Sequence, residues 1–356
     1  MSADMPGENS GKRKRVTLRE VAREAGVSIK TVSRVMNGEP AVKAVTYARV
    51  RGAIDRLGYR PNELARGLKG SRSRTIGLVI ADISNPFFAD LCKEVEEIAR
   101  ARGYSVILCA SAEDAAAEQE YVELLLQRRI DGLLLVPAPG THGYLERERG
   151  AGLPIVALDR PADGVESDVV LSEGRQGSRL ATEHLIGHGH GRVAFVGDDK
   201  RIYTARQRLG GYEEAMCEAG LEPLYRLGAG SIPSAAHAAH DLLSEADPPT
   251  AIFAGNSLIT AGVLRALDER GMRPPQGVAL VGFEDTELLS TLRPRLTLLC
   301  QPTRELGRRA AELLFERIET GGEAEPQRIE LPTKFVINSS CGCNDPRQHA
   351  HDLEKT

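Results

Sequence analysis

The stretch Arg15-Val-Thr-Leu-Arg-Glu-Val-Ala-Arg-Glu-Ala-Gly-Val-Ser-Ile-Lys-Thr-Val-Ser-Arg-Val-Met-Asn-Gly38 sets the reading of the chain. Thr17 followed three residues later by Glu20 is a capping box, so a helix starts there. Leu18, Val21, Ala22 and Ala25 recur at i, i+3, i+4 and i+7 and give that helix one apolar face. Gly26 permits the positive φ of a sharp turn. Ser28 is placed to cap a second helix, with Val32, Val35 and Met36 on its apolar side and Ile29, Lys30, Ser33 and Arg34 on the other. Two short helices joined by a glycine turn make a helix-turn-helix, whose second helix enters the major groove by its N-terminal residues. In that reading Ile29 meets a thymine methyl, while Lys30 and Arg34 suit guanine N7/O6 or phosphate. Thr17, Ser28, Thr31 and Ser33 supply phosphate contacts, which set register rather than sequence.

The same spacing would also serve a small helical bundle, and charge separates the two readings. Residues 12–74 hold 17 Lys/Arg against 5 Asp/Glu. With the total at −4 and residues 1–11 at −2, residues 75–356 carry −14. A near-neutral total thus hides a basic head on an acidic body, as phosphate neutralisation at one end requires.

Residues 21–37, Val-Ala-x-x-Ala-Gly-Val-Ser-x-x-Thr-Val-Ser-Arg-Val-x-Asn, are followed by Tyr-x-Pro-Asn-x-x-Ala-Arg-x-Leu-Lys at 59–69. Together they resemble the lactose-repressor (LacI) family of bacterial regulators, and the similarity continues to about residue 343. The resemblance implies a hinge helix over Asn62 to Lys69 that pairs across a dimer, enters the minor groove and wedges Leu68 between base pairs. It adds Asn37, Tyr59, Asn62, Ala65, Arg66 and Lys69 to the DNA-facing set. Eight residues are too few for a stable isolated helix, and Gly67 weakens it by roughly 1 kcal/mol. The hinge is therefore expected to fold only on DNA. Lys43 and Tyr47 depart from the family's frequent serine and arginine in the third helix.

A chain of 356 residues makes two or three domains. It has no apolar run long enough to span a membrane. Its polar N-terminus, ending in Lys12-Arg-Lys-Arg15, does not read as a secretory signal, which points to a cytoplasmic protein with no membrane partner. The expected divisions are a disordered tail (1–14), a helix-turn-helix domain (15–60), hinge and linker (61–74), an effector and dimerisation domain (75–345), and a second tail (346–356). Six cysteines (92, 109, 217, 300, 341, 343) are scattered. Cys341-Gly-Cys343 lacks a second pair at zinc-ligand spacing, and His188-Gly-His190 sits at a helix end before a strand. Neither reads as a metal site, and no cofactor is expected.

Past the linker, Thr75–Ile80 is a short apolar strand, and helices over 86–102, 114–129, 175–188, 205–219, 234–245 and 257–271 alternate with further short strands. This alternation implies parallel sheets covered on both faces, in two similar lobes. With the resemblance, the fold class is an all-α helix-turn-helix head with a hinge helix, joined to a two-lobe α/β effector domain like the periplasmic binding proteins. Lobe 1 is expected at about 75–173 and 303–331, lobe 2 at about 174–302 and 332–345.

Open α/β sheets bind ligands at the carboxyl ends of their strands. Those ends offer Asp82, Asn85, Phe87, Phe88, Arg160, Arg208, Asn256, Phe283 and Glu284. The family uses the positions matching Phe87, Phe88, Arg160, Arg208, Asn256, Phe283 and Glu284 to line the effector cleft. The set fits a polyhydroxylated ring: acids, amides and arginines take hydroxyls, and aromatic faces pack on C–H surface. Phe87 and Phe88 also suit a plain core role, and Arg160 a surface one. Glu284 replaces a usual aspartate, so ligand identity does not carry over from a relative, while Gly230 about where purine-binding members place an aromatic, with Arg160 instead of an aromatic as well, favours a sugar over a purine. No nucleotide loop or nucleophile elbow follows any strand, so no enzyme is expected. The reading is a homodimeric, ligand-controlled repressor of palindromic operator DNA. Its rivals are a DNA-binding regulator without ligand control and a solute-binding receptor.

Overall fold

Thr17 opens the first helix as its spacing requires. Its hydroxyl accepts from Glu20 N, while its own N–H donates to the Glu20 carboxylate at 2.6 Å. The computed structural model describes residues 16–36, 42–59, 72–283, 295–321 and 324–343, in two units, Met1–Ser73 and Arg74–Thr356. The tails at 1–14 and 346–356, the hinge at Asn62 to Lys69, and the site candidates Asn37, Asn62, Ala65, Arg66, Leu68, Lys69 and Glu284 lie outside the described residues.

In the head, helices α1 (Leu18–Glu24), α2 (Ile29–Met36) and α3 (Ala44–Leu57) enclose a core of Val21, Ala22, Ala25, Val32, Val35, Val50, Ala53 and Tyr59. Gly26 turns between α1 and α2 at φ +60°, and Ser28 Oγ caps α2 by accepting from Thr31 N at 3.1 Å. Lys43 begins α3 with no side-chain cap, so its first turn forgoes a contribution of about 1 kcal/mol that a serine gives.

The body holds two six-stranded sheets. The first runs β11-β5-β4-β3-β1-β2, from β1 (Thr75–Ile80), β2 (Ser105–Ala110), β3 (Gly132–Leu135), β4 (Ile155–Leu158), β5 (Asp168–Ser172) and β11 (Arg328–Leu331). The second runs β12-β10-β9-β8-β6-β7, from β6 (Val193–Val196), β7 (Leu224–Arg226), β8 (Ala251–Ala254), β9 (Ala279–Phe283), β10 (Thr297–Cys300) and β12 (Lys334–Val336). Every pairing is parallel except β10 with β12. Helices cover both faces, so inner strands such as Leu133-Leu-Leu135 and Val193-Ala-Phe-Val196 are buried throughout. In both sheets the order reverses at the first strand, between β1 and β3 and between β6 and β8, which is where a ligand crevice opens.

The chain passes between the sheets three times. It crosses at Glu173 after β5, at Gln301-Pro302 after β10, and at Pro332-Thr333 after β11. Helix α4 (Pro86–Ala101) leaves β1, α5 (Ala115–Gln127) leaves β2, and the short α6 (Glu146–Gly150) precedes β4. On the second sheet lie α7 (Gly174–Gly187), α8 (Tyr203–Glu218), α9 (Ile232–Leu243) and α10 (Ser257–Glu269), while α11 (Thr303–Thr320) returns to the first. Two helix starts fall earlier than the periodicity placed them. Tyr203 begins α8, and Ser231 with Ser234 forms a capping box that starts α9 at Ile232, with Pro233 tolerated in the first turn. The elements β5, β7, β10, β11, β12, α6 and α11 are absent from the sequence pattern's reading. Helices α7 and α8 approach so closely that a Cβ at Gly211 would collide with the Arg175 carbonyl. That fixes α8 and the Arg208 it carries.

Candidate functional site

The head presents α2 outward. Ile29 is 46% exposed, Lys30 and Arg34 are exposed, and Thr31 and Ser33 are half-buried beneath them. An apolar and two cationic side chains thus stand exposed on one helix, Ile29 and Lys30 at its N-terminal end and Arg34 one turn on, as base-edge reading requires. The Ser28 and Thr31 hydroxyls lie 2.9 Å apart, and the Thr17 hydroxyl donates to Glu20 at 2.9 Å, so each also serves local structure. Tyr59 differs from the sequence expectation of a DNA-facing side chain. Gly58 closes α3 at φ +61°, the Tyr59 N–H returns to Ile54 O, and the ring folds into the head core.

In the body, the strand-end candidates gather on facing ends of the two sheets. Asp82 follows β1 and accepts from Ser84 N and Oγ at 2.8 Å. Asn85 caps α4 by accepting from Phe87 N at 3.1 Å, and it also accepts from Ser257 Oγ of the second lobe at 3.3 Å. Phe87 and Phe88 meet edge to face at 5.0 Å and are both buried in the first lobe's core. Asn256 caps α10 through Ile259 N at 2.8 Å and donates to Asp198 Oδ2 at 3.4 Å.

A second group centres on the arginines. Arg160 is buried, contrary to a surface role, because both arms of its guanidinium donate to Glu113, at 2.8 and 2.7 Å. Asp159, in the left-handed region at φ +69°, is buried beside it, 3.7 Å from Arg160 Nε. From the second lobe, Arg208 donates to Gly255 O at 2.9 Å and lies 3.9 Å above the fully buried Phe283 ring. Burial pushes the Asp159 carboxyl above the usual aspartate range, against the pull of Arg160 and Arg208. Burial likewise raises Asp198, with Glu113 adding to the shift and both arginines opposing it. Burial works against the Arg160 cation, yet Glu113, Asp159 and Asp198 hold it above its ordinary value. Charges of both lobes therefore act on one another across one cleft. Asp159 Oδ1 and Arg160 Nε are buried there with no hydrogen-bond partner among the described residues.

Sequence reasoning left Glu113 and Asp198 out of this set. Both follow the carboxyl ends of strands, β2 and β6, so the rule that found Asp82 and Asn256 reaches them too. The fold also brings together histidines and a cysteine that lie far apart in the chain. His188 partners His184, one turn back on α7, and Cys343, whose Sγ is 3.0 Å from His188 Nε2, whereas His190 bonds Thr250 Oγ1. The partners are 155 residues apart in the chain, beyond any short motif.

Two family profiles match the chain. One, described as bacterial regulatory proteins of the lacI family, covers residues 17–62. The other, periplasmic binding proteins and sugar binding domain of the same family, covers residues 73–339. The ribose operon repressor of Escherichia coli strain K12 is 38% identical over 321 residues, 88% of this chain and 96% of the repressor. The lac repressor dimer bound to operator and an anti-inducer superposes with a TM-score of 0.81 at 28% identity, over 92% of this chain and 99% of that one. A LacI family transcriptional regulator from Enterococcus faecium with bound ribose gives a TM-score of 0.66 at 28% identity, over 75% of this chain and 98% of that one.

Proposed function

Because the chain belongs to the LacI family of bacterial DNA-binding transcription regulators, we propose that it is a homodimeric repressor of a palindromic operator, released or engaged by a small sugar held between its two lobes. Each subunit reads half of the operator through Ile29, Lys30 and Arg34, with the hinge segment and Leu68 at the centre. Lobe 1 comprises about 75–173 and 303–331, lobe 2 about 174–302 and 332–345.

One observation carries the ligand. Buried polar atoms are nearly always paired, and an unpaired one costs about 1–3 kcal/mol. Asp159 Oδ1 and Arg160 Nε have no hydrogen-bond partner among the described residues where charges of both lobes converge. A ring hydroxyl satisfies both needs, donating to the carboxylate and accepting from the guanidinium N–H. Asp198, Asn256 and Arg208 offer the same pairing from the second lobe. The ribose bound to the Enterococcus relative, and the 38% identity to a ribose operon repressor, support a pentose, with ribose the first candidate.

The dimer rests on β2. It is a sheet-edge strand, Ser105-Val-Ile-Leu-Cys-Ala110, with Leu108 37% exposed and its neighbours only half-buried. An apolar edge of this kind invites aggregation unless another chain covers it.

The test has two arms. The full chain is used to select operators from a random DNA pool, and its sedimentation gives the oligomeric state. Selection should return palindromes, Lys30→Ala should change base preference, and Leu68→Ala should lose specific binding while keeping the salt-dependent nonspecific part. Recovery of no preferred sequence would overturn operator reading. Thermal shift with pentoses, hexoses and purine bases tests the ligand. A shift with purines and none with sugars would replace the sugar assignment.

A further inference from the structure

The end of α7 and the last described turn of the chain bring four soft or borderline donors together. His184 and His188 are four residues apart and share one helix face, with ring centroids 4.3 Å apart. His188 Nδ1 lies 2.8 Å from the His184 carbonyl oxygen. A carbonyl only accepts, so Nδ1 carries the proton and Nε2 keeps its lone pair.

The cysteines arrive from the opposite direction. After β12 the chain makes a short turn, Ser339–Cys341, that is tied down on every side. Ser340 Oγ accepts from Thr297 N at 2.8 Å and donates to Leu280 O at 2.6 Å, and Asn338 Nδ2 donates to Leu296 O at 2.9 Å. Gly342 then adopts φ +95°, which turns the chain so that Cys341 and Cys343 direct both sulfurs to the same side, 3.2 Å apart. His184 Nε2 is 3.3 Å from Cys341 Sγ and 3.6 Å from Cys343 Sγ, and His188 Nε2 is 3.0 Å from Cys343 Sγ. The reactive atoms of His184, His188 and Cys343 all lie within 4.8 Å of one another.

We propose that His184, His188, Cys341 and Cys343 form a four-ligand site for a borderline-soft divalent transition metal, zinc in the first instance. Zinc–sulfur bonds of about 2.3 Å and zinc–nitrogen bonds of about 2.0–2.1 Å in a tetrahedron put nitrogen about 3.6 Å and sulfur about 3.8 Å from a neighbouring sulfur. Four of the six donor–donor edges fall within about 0.6 Å of those values, and a metal would draw Cys341 Sγ in toward the close group of His184, His188 and Cys343 by side-chain adjustment. Two thiolates and two imidazoles select zinc over calcium or magnesium, which take oxygen. Four protein ligands close the coordination sphere, which makes the site structural rather than catalytic. The outer groups are in place as well: the Thr297 hydroxyl is 3.1 Å from Cys341 Sγ, and the Phe335 ring packs edge-on to His184 at 5.0 Å. The cysteines are buried but His188 is exposed, which gives an ion its entry path. Bound metal would staple the end of the second lobe to α7, the helix that begins directly after the first lobe crossing.

The test is titration of Co2+ into the full-length protein, stripped of metal and kept in a non-thiol reductant. The expected result is one ion per chain, with the intense visible bands of tetrahedral cobalt, a thiolate charge-transfer band in the near ultraviolet, and displacement of both by Zn2+. Melting temperature should rise with Zn2+. His188→Ala, an exposed position, should weaken binding on the order of 100-fold or more without unfolding the protein. His188→Cys should restore binding and strengthen the thiolate band. His190→Ala, and a double change of His349 and His351 to Ala, should leave the titration unchanged. Absence of tetrahedral bands would overturn the site and leave a network of thiol–imidazole hydrogen bonds. Loss of the bands in the His349/His351 variant with retention in His188→Ala would overturn it equally.

Discussion

The two walls of the cleft support their arginines by different means. On the first lobe Arg160 is gripped at both arms by Glu113 and flanked by Asp159, so its charge belongs to a buried network. On the second, Arg208 donates to the Gly255 carbonyl, lies over the Phe283 ring and pulls on the Asp159 and Asp198 carboxyls. Taking one member from a buried charge network strands the others. The first wall therefore couples ligand binding to the folding of its lobe through a close, two-armed ion pair.

Three changes probe that contrast. Arg160→Met should have the largest effect, a loss of about 3 kcal/mol in denaturant unfolding, at the low end for a broken buried pair because Glu113 retains some contact with water. Melting close to the parent would show the network to be dispensable and remove the distinction between the walls. Arg208→Met should come next. Its signature is a fall of roughly 10- to 100-fold in sugar affinity by calorimetry, with a stability loss of no more than about 2 kcal/mol. If its stability loss equals that of Arg160→Met, the two walls are alike.

The smallest effect is a pH signature of Asp159. Its carboxyl is raised in the folded protein above the ordinary 3.8, so the native state binds the proton more tightly than the unfolded state does. Its contribution is most favourable below the unfolded value and is lost as pH rises through the raised one. Asp159→Asn lacks this dependence. The variant's melting temperature relative to the parent should therefore climb from pH 3 towards neutrality, and a flat difference would remove the buried, unpartnered carboxylate from the account.

The sequence was most readable where the determining contacts are short. Thr17–Glu20, Gly26 and Ser28 act within one or two turns, and the apolar strands needed only composition and length. The strand-end rule led to Asp82, Asn85, Arg208 and Asn256 without knowledge of their partners. It could not tell that Arg160 is buried, since that follows from Glu113, 47 residues earlier. The nearness of Cys343 to His184 and His188 is out of reach for a similar reason. Zinc-ligand spacing looks for pairs along the chain, while here a helix end and a terminal turn are joined only by the fold. The burial of the Tyr59 ring was not legible because a glycine cap reverses the chain locally, and the resemblance carries a position without that geometry.

In the proposed function, sugar and operator act on one protein through a shared equilibrium. It is tested most directly by measuring operator affinity of the full chain with and without saturating ribose, and ribose affinity with and without operator. Linkage requires the two factors to be equal. The account predicts a change of operator affinity by roughly 5- to 150-fold, mirrored in the sugar. Ribose binding that leaves operator affinity unchanged would contradict it.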